Sequence, residues 1–165
     1  MRTRPTPMAG EKVTDFLGAL LAPAARLGGD GDDVVLIREV APPRHVIALH
    51  SHPEPECFYV LDGTLEVFLD DGGAGWRTIG VGESCLAADG VRHALRNPGN
   101  EPVDFLIATN NRLLSFFQRG GREASEAQGF VEPGAEDVDR AGRVAREYGY
   151  WRAEPAESLE VTGVA

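Results

Sequence analysis

Residues 45–63 read HVIALHSHPEPECFYVLDG, two apolar runs hinged on Pro53 and Pro55 and closed by Asp62-Gly63. Side chains two apart on a strand share a face, so His50 and His52 are expected to project together, with Val46 and Ala48 beside them. Glu56 follows the proline-flanked turn and shares its face with Phe58 and Val60. Asp62-Gly63 predicts a tight hairpin. A second glycine-punctuated stretch, Gly82 to Gly90 with His93 and Asn97, lies beyond that hairpin and can return to the same place. His50, His52, Glu56 and His93 would then converge. A single histidine on an apolar strand face is ordinarily structural, but three of the four histidines fall into this one frame. His45 stands at odd spacing from His50, so it is expected on the opposite face and is read as structural.

Outward from this core the grammar is that of short strands. Val34–Val40, His45–His52, Glu56–Leu61, Thr64–Asp70, Trp76–Ile79, Ser84–Ala88, Arg92–Asn97, Val103–Thr109 and Leu113–Gln118 all read as strands. Turn residues, including Gly28–Asp33 and Asp71–Gly75, recur at the spacing of a β-sandwich or barrel. Val13–Leu21 fits a strand or a helix, and Ala24–Leu27 a further short strand. Val138, Ala141, Val144, Ala145 and Tyr148 recur at helical spacing between an acidic start and Gly149, predicting one helix over about 135–149. The expected organisation is a flexible segment 1–12, one domain over 13–150 and a loose tail 151–165.

Composition narrows the partners. The formal net charge is −10 with a pI near 4.8, which disfavours nucleic acid and anionic membranes, since both need clustered Lys and Arg. No apolar run is long enough to span a bilayer and no signal core follows the N-terminus, so the cytoplasm is the expected location. The two cysteines, Cys57 and Cys85, are too few for a disulfide framework and read as small core residues. The stripe Arg140, Arg143 and Arg146 reads as a solvated helix face.

His50-x-His52-x-x-x-Glu56, six residues and Gly63 resemble the first motif of the cupin superfamily. Gly82, five residues, Ala88-x-Gly90-x-x-His93-x-x-x-Asn97 resemble the second. Arg44 stands where the first motif opens with Gly, and Ala88 where the second carries Pro. Phe16-Leu17-Gly18, the run Phe58–Gly63, Phe116-Phe117 and Tyr148-Gly149 are similar to bacterial single-domain quercetin-dioxygenase-like cupins, over about residues 13–150. The resemblance implies an all-β, antiparallel jelly-roll barrel with a short C-terminal α-helix, often dimeric, with His50, His52, Glu56 and His93 as metal ligands.

Three imidazoles and a carboxylate suit a divalent transition metal, and the ligand set alone does not choose among Fe, Mn, Ni, Cu and Zn; Fe is the leading expectation. The leading expectation is a dioxygenase acting on a small aromatic or polyphenolic substrate. Glu56 would serve as ligand or as general base. Phe58, Phe68, Leu86, Phe105, Ile107, Phe116 and Phe117 would line the substrate pocket. The same ligands suit redox-neutral cyclisation or isomerisation with Zn as Lewis acid, or a non-catalytic small-molecule-binding barrel. The apolar segment 13–21 is expected to cover a sheet edge of a second copy, making a homodimer.

Overall fold

The computed structural model describes residues 4–28, 33–73 and 75–163; most of the expected turn at 28–33, and part of that at 71–75, lie outside them. The chain forms β1 (Thr14–Phe16), β2 (Ala19–Leu27), β3 (Val34–Ala41), β4 (Val46–Ser51), β5 (Glu56–Asp62), β6 (Leu65–Leu69), β7 (Trp76–Ile79), β8 (Ser84–Ala87), β9 (His93–Arg96) and β10 (Val103–Asn110). Then follow α1 (Asn111–Gly120), β11 (Arg122–Glu123), α2 (Ala135–Tyr148), β12 (Trp151–Arg152) and α3 (Pro155–Thr162). One sheet has the order β11-β1-β2-β3-β10-β5-β8, the other β12-β4-β9-β6-β7, and every strand pair is antiparallel. This is the expected jelly roll.

Alternation along each strand sends one set of side chains between the sheets. Val35 and Ile37 of β3, Phe58 and Val60 of β5, and Val103, Phe105 and Ile107 of β10 come from the long sheet. Leu65, Val67 and Leu69 of β6, Leu95 of β9 and Ile79 of β7 meet them from the other. At the end of the barrel away from His50, His52 and His93, Asn97 ties two loops together. Its amide donates to Pro42 O at 2.9 Å and Glu101 O at 2.8 Å, and its carbonyl accepts from Gly99 N–H at 2.9 Å.

Three expectations are corrected. Leu113–Gln118 is part of helix α1, not a strand: the Asn110 side chain accepts from the N–H groups of Arg112 and Leu113, capping the helix, and Leu113, Leu114 and Phe116 become its buried face. Residues 155–162 form α3 rather than a loose end, with Pro155 in its first turn and Gly163 closing it at φ 76°. Segment 13–21 supplies β1 and the start of β2, and β1 is paired on both sides, with β2 and β11. It therefore offers no spare strand to a second copy. Arg4 donates to Ala124 O and Gln128 O, and Met8 N–H to Pro23 O, so residues 4–8 are fastened to the barrel.

The C-terminal part closes the mouth that carries the histidines. Gly149 adopts φ 72°, and Tyr150 N–H bonds back to Ala145 O, turning the chain out of α2. The chain then pairs as β12 with β4, Trp151 opposite Ser51 and Arg152 opposite His50. Helix α3 lies on the outer face of the β4 sheet, where Leu49 N–H meets Ser158 Oγ and the Trp76 indole donates to Val161 O at 3.1 Å. No helix among the described residues is long and apolar enough to cross a membrane.

Arg44 adopts φ 59°, the left-handed region, at the position where the first motif opens with Gly. A Cβ there costs about 1 kcal/mol. Arg44→Gly is therefore expected to raise the melting temperature by about 2 °C in thermal denaturation. Arg44→Ala keeps the Cβ and is expected to give no gain; equal effects of the two changes would contradict the strain.

Candidate metal centre

The donor side chains come from four adjacent pieces of backbone. His50 sits in β4 directly opposite His93 in β9, His52 follows β4, and Glu56 opens β5. One donor atom from each of the four lies within 4.8 Å of all the others. The Glu56 carboxylate is the hub: its Oε2 is 2.9 Å from His93 Nε2 and 3.2 Å from His52 Nε2. The rings of His50 and His93 are 4.2 Å apart between centroids. His52, Glu56 and His93 are buried, and His50 is partly so.

Hydrogen bonds settle which ring nitrogens are free. A backbone carbonyl only accepts, so His50 Nδ1 donates to Ala48 O at 2.8 Å and His93 Nδ1 to Val91 O at 2.8 Å. Their Nε2 atoms are then left as lone-pair donors facing the carboxylate of Glu56. Acceptor atoms gathered at one point require a proton or a cation between them. Burial pushes the Glu56 carboxyl up, but His52 and His93 outweigh it and hold the group well below the usual carboxylate range. Burial, with His93 and His52 alongside, lowers His50 to about 3, so that imidazole stays uncharged. His52 is lowered by burial but raised further by Glu56, and ends above its ordinary value.

A β-bulge rearranges the expected faces of β4. Ile47 pairs with Leu95 and His50 with His93, so three steps on β4 match two on β9. Ile47, not Val46 or Ala48, packs on the barrel core, and Leu49 turns out under α3. The bulge also brings His45, which shares the parity of Ile47, to the face of His50. Its ring is lowered to about 4 by burial, with Asp15 opposing, and its Nε2 is buried without a partner among the described residues. It is not among the four clustered side chains, so its reading as structural does not change, although its expected face does.

The expected pocket residues divide. Phe58, Phe105 and Ile107 lie inside the barrel, almost fully buried. Phe116 and Phe117 project from α1, and Phe116 packs on Tyr150, whose ring lies 5.1 Å from that of His52. Phe68 and Leu86 are corrected: they alternate with the inward Val67 and Cys85 and so face outward. Phe68 packs on Trp76 outside the second sheet, and Leu86 is 56% exposed. By the same parity Cys85 is the inward cysteine, while Cys57 sits partly buried on the outer face rather than in the core.

Two carboxylates near the centre escape a sequence reading. Glu39 shares the inward face of β3 with Val35 and Ile37 and is only 7% exposed. Burial first, then the charge of Glu56, raises it to about 8. The only signal in sequence is a lone charge at an inward position of a β-branched run. Glu54 is also buried, and pairs with Arg112 of α1.

Glu39 makes the stability of the metal-free protein fall with rising pH. Between about 4.5 and about 8 the folded carboxyl keeps a proton that the unfolded one has lost, so the unfolded state binds fewer protons. Glu39→Gln is expected to stabilise the protein more at pH 8 than at pH 5, measured as melting temperature against pH. An equal effect at both pH values would contradict the shift.

No curated protein matches the chain. Solved structures are similar to parts of it. KdgF from Halomonas sp. is 18% identical, with 59% of this chain and 85% of that chain covered and a TM-score of 0.47. The Schizosaccharomyces pombe Cnp3 cupin domain is 16% identical, covering 62% and 67%, at 0.46. The Cupin_2 domain of an XRE family transcriptional regulator from Enterobacter cloacae is 22% identical, covering 56% and 96%, at 0.45. Residues 37–109, which carry all four donor side chains, match the family model Cupin_2, the cupin domain, and the fold around them is an antiparallel jelly roll.

Proposed function

We propose that the protein is a metal-dependent enzyme acting on a small molecule, in the manner of the quercetin-dioxygenase-like cupins, with a small aromatic or polyphenolic substrate. One observation carries the reading. The Nε2 atoms of His52 and His93 meet a carboxylate oxygen within 3.2 Å, while the backbone fixes two of the three imidazoles with Nε2 turned inward. His50, His52, Glu56 and His93 would hold the ion, and the donor set suits Fe, Mn, Ni, Cu or Zn. When bound, the ion supplies Lewis acidity and, if it is Fe, redox chemistry toward O2.

The chain's own residues supply the rest. Phe58, Phe105 and Ile107 form an apolar wall that excludes water beside the donors, and Phe116 with Tyr150 closes the approach over His52. Glu56, tied to two imidazoles, takes the ligand or general-base role. A redox-neutral reaction is the second reading, and Glu39 is the observation that favours it. A second buried carboxyl within the field of Glu56 supplies an acid–base group, as isomerisation or cyclisation needs.

Elemental analysis of the purified protein is expected to find about one equivalent of transition metal, falling to roughly a tenth or less in His50→Ala and His93→Ala. Fe with oxygen uptake on phenolic substrates supports the first reading, and Zn alone supports the second. A wild-type protein that takes up no metal even on reconstitution overturns both, leaving a binding protein.

A further inference from the structure

The three imidazoles of the centre are not anchored alike. His50 and His93 each give the Nδ1 proton to the carbonyl two residues earlier, at 2.8 Å in both cases. His52 makes no such bond to the carbonyl two residues earlier; the backbone of Glu54 lies beside its ring instead. Its Nδ1 faces Glu54 Oε2 at 3.5 Å, and among the described residues neither atom has a hydrogen-bond partner. Both side chains are almost fully buried. Among the described residues the Tyr150 hydroxyl is a third buried group without a partner beside the same carboxylate, so Glu54 Oε2 is one acceptor between two donors, the Nδ1 proton of His52 and the hydroxyl of Tyr150.

Glu54 is itself held. Its other oxygen pairs with Arg112 Nη1, and Arg112 Nη2 donates to Tyr148 O at 2.7 Å. The guanidinium lies 5.1 Å from the Tyr148 ring centroid and 5.3 Å from that of Tyr150, and the Tyr150 ring packs on His52. The loop after β4, the first turn of α1 and the end of α2 thus meet at one carboxylate.

We propose that Glu54 is the positioning residue of His52, accepting its Nδ1 proton so that Nε2 is presented to the metal, and that Arg112 holds Glu54 in place. The inference rests on the metal-centre reading above. A carboxylate behind an imidazole fixes its tautomer and makes it a more basic ligand than a carbonyl does, so His52 is the strongest nitrogen donor of the three. The anchor also makes metal affinity depend on how α1 and the end of α2 are packed.

The test is Co(II) affinity, by chelator competition, together with the imidazole N–H signals of the 15N-labelled protein with and without Zn(II). Glu54→Ala is expected to weaken Co(II) binding about 10–100-fold and to shift the Nδ1 proton signal of His52, leaving those of His50 and His93 in place. Glu54→Gln keeps an acceptor and is expected to recover part of the affinity, which a purely structural role would not produce. Arg112→Met keeps the Glu54 carboxylate but removes its restraint and is expected to weaken binding several-fold; it also serves if Glu54→Ala does not fold. Affinity within twofold of wild type together with an unmoved His52 signal, in whichever of these variants folds, overturns the proposal. A wild-type protein that binds no Co(II) or Zn(II) sinks the metal-centre reading instead. The His52 signal in the metal-free variants then decides the anchor alone.

Discussion

One carboxylate oxygen, Glu56 Oε2, holds two imidazole nitrogens within 3.2 Å in a buried site, and the barrel is arranged so that this meeting is possible. An ionised carboxylate is costly to bury alone, and histidines packed together repel once protonated. Brought together, His52 and His93 keep Glu56 ionised against its burial, while burial first and then the neighbouring imidazoles keep His50 neutral. The bulge in β4, the pairing of His50 with His93 and the proline-flanked turn before Glu56 are the backbone devices that deliver the four groups to one point.

Around that point the protein uses two kinds of restraint. Backbone carbonyls, which come with the strand geometry, fix the rings of His50 and His93. Side chains enclose His52: the neighbouring Glu54, with Arg112 of α1 and Tyr150 after α2 brought from distant parts of the chain. The first kind is local and follows from folding the barrel. The second requires the helices to be in place, so the two sides of the centre answer to different parts of the sequence.

Much of this was legible in the residues. Histidines two apart, a carboxylate four further on and glycines at the turns marked both the strands and the donor set, and the helix over about 135–149 followed from its apolar period. What was missed has specific causes. Period-two reasoning assumes an unbroken ladder, so the bulge inverted the expected faces of Val46, Ala48 and His45. Leu113–Gln118 is apolar enough for a strand, and only the Asn110 cap three residues before the first buried leucine signals a helix. Phe68 and Leu86 were grouped with the pocket by residue type, while their strand parity places them outside. Glu54 and Glu39 carry their meaning only in three dimensions, through Arg112, His52 and Glu56.

The pairing of β12 with β4 bears on the order in which the molecule is made. Strand β4 would be the outer edge of its sheet, with unsatisfied N–H and C=O groups beside His50, were Trp151 and Arg152 not paired to it. During synthesis that edge stays open until residue 151, 101 residues beyond His50, has emerged to cover it. Until then the ligand strand is a template for any passing extended chain. The nascent barrel is thus most vulnerable to misassociation at the place where the finished one concentrates its chemistry, and its last elements act as an intramolecular chaperone for the site.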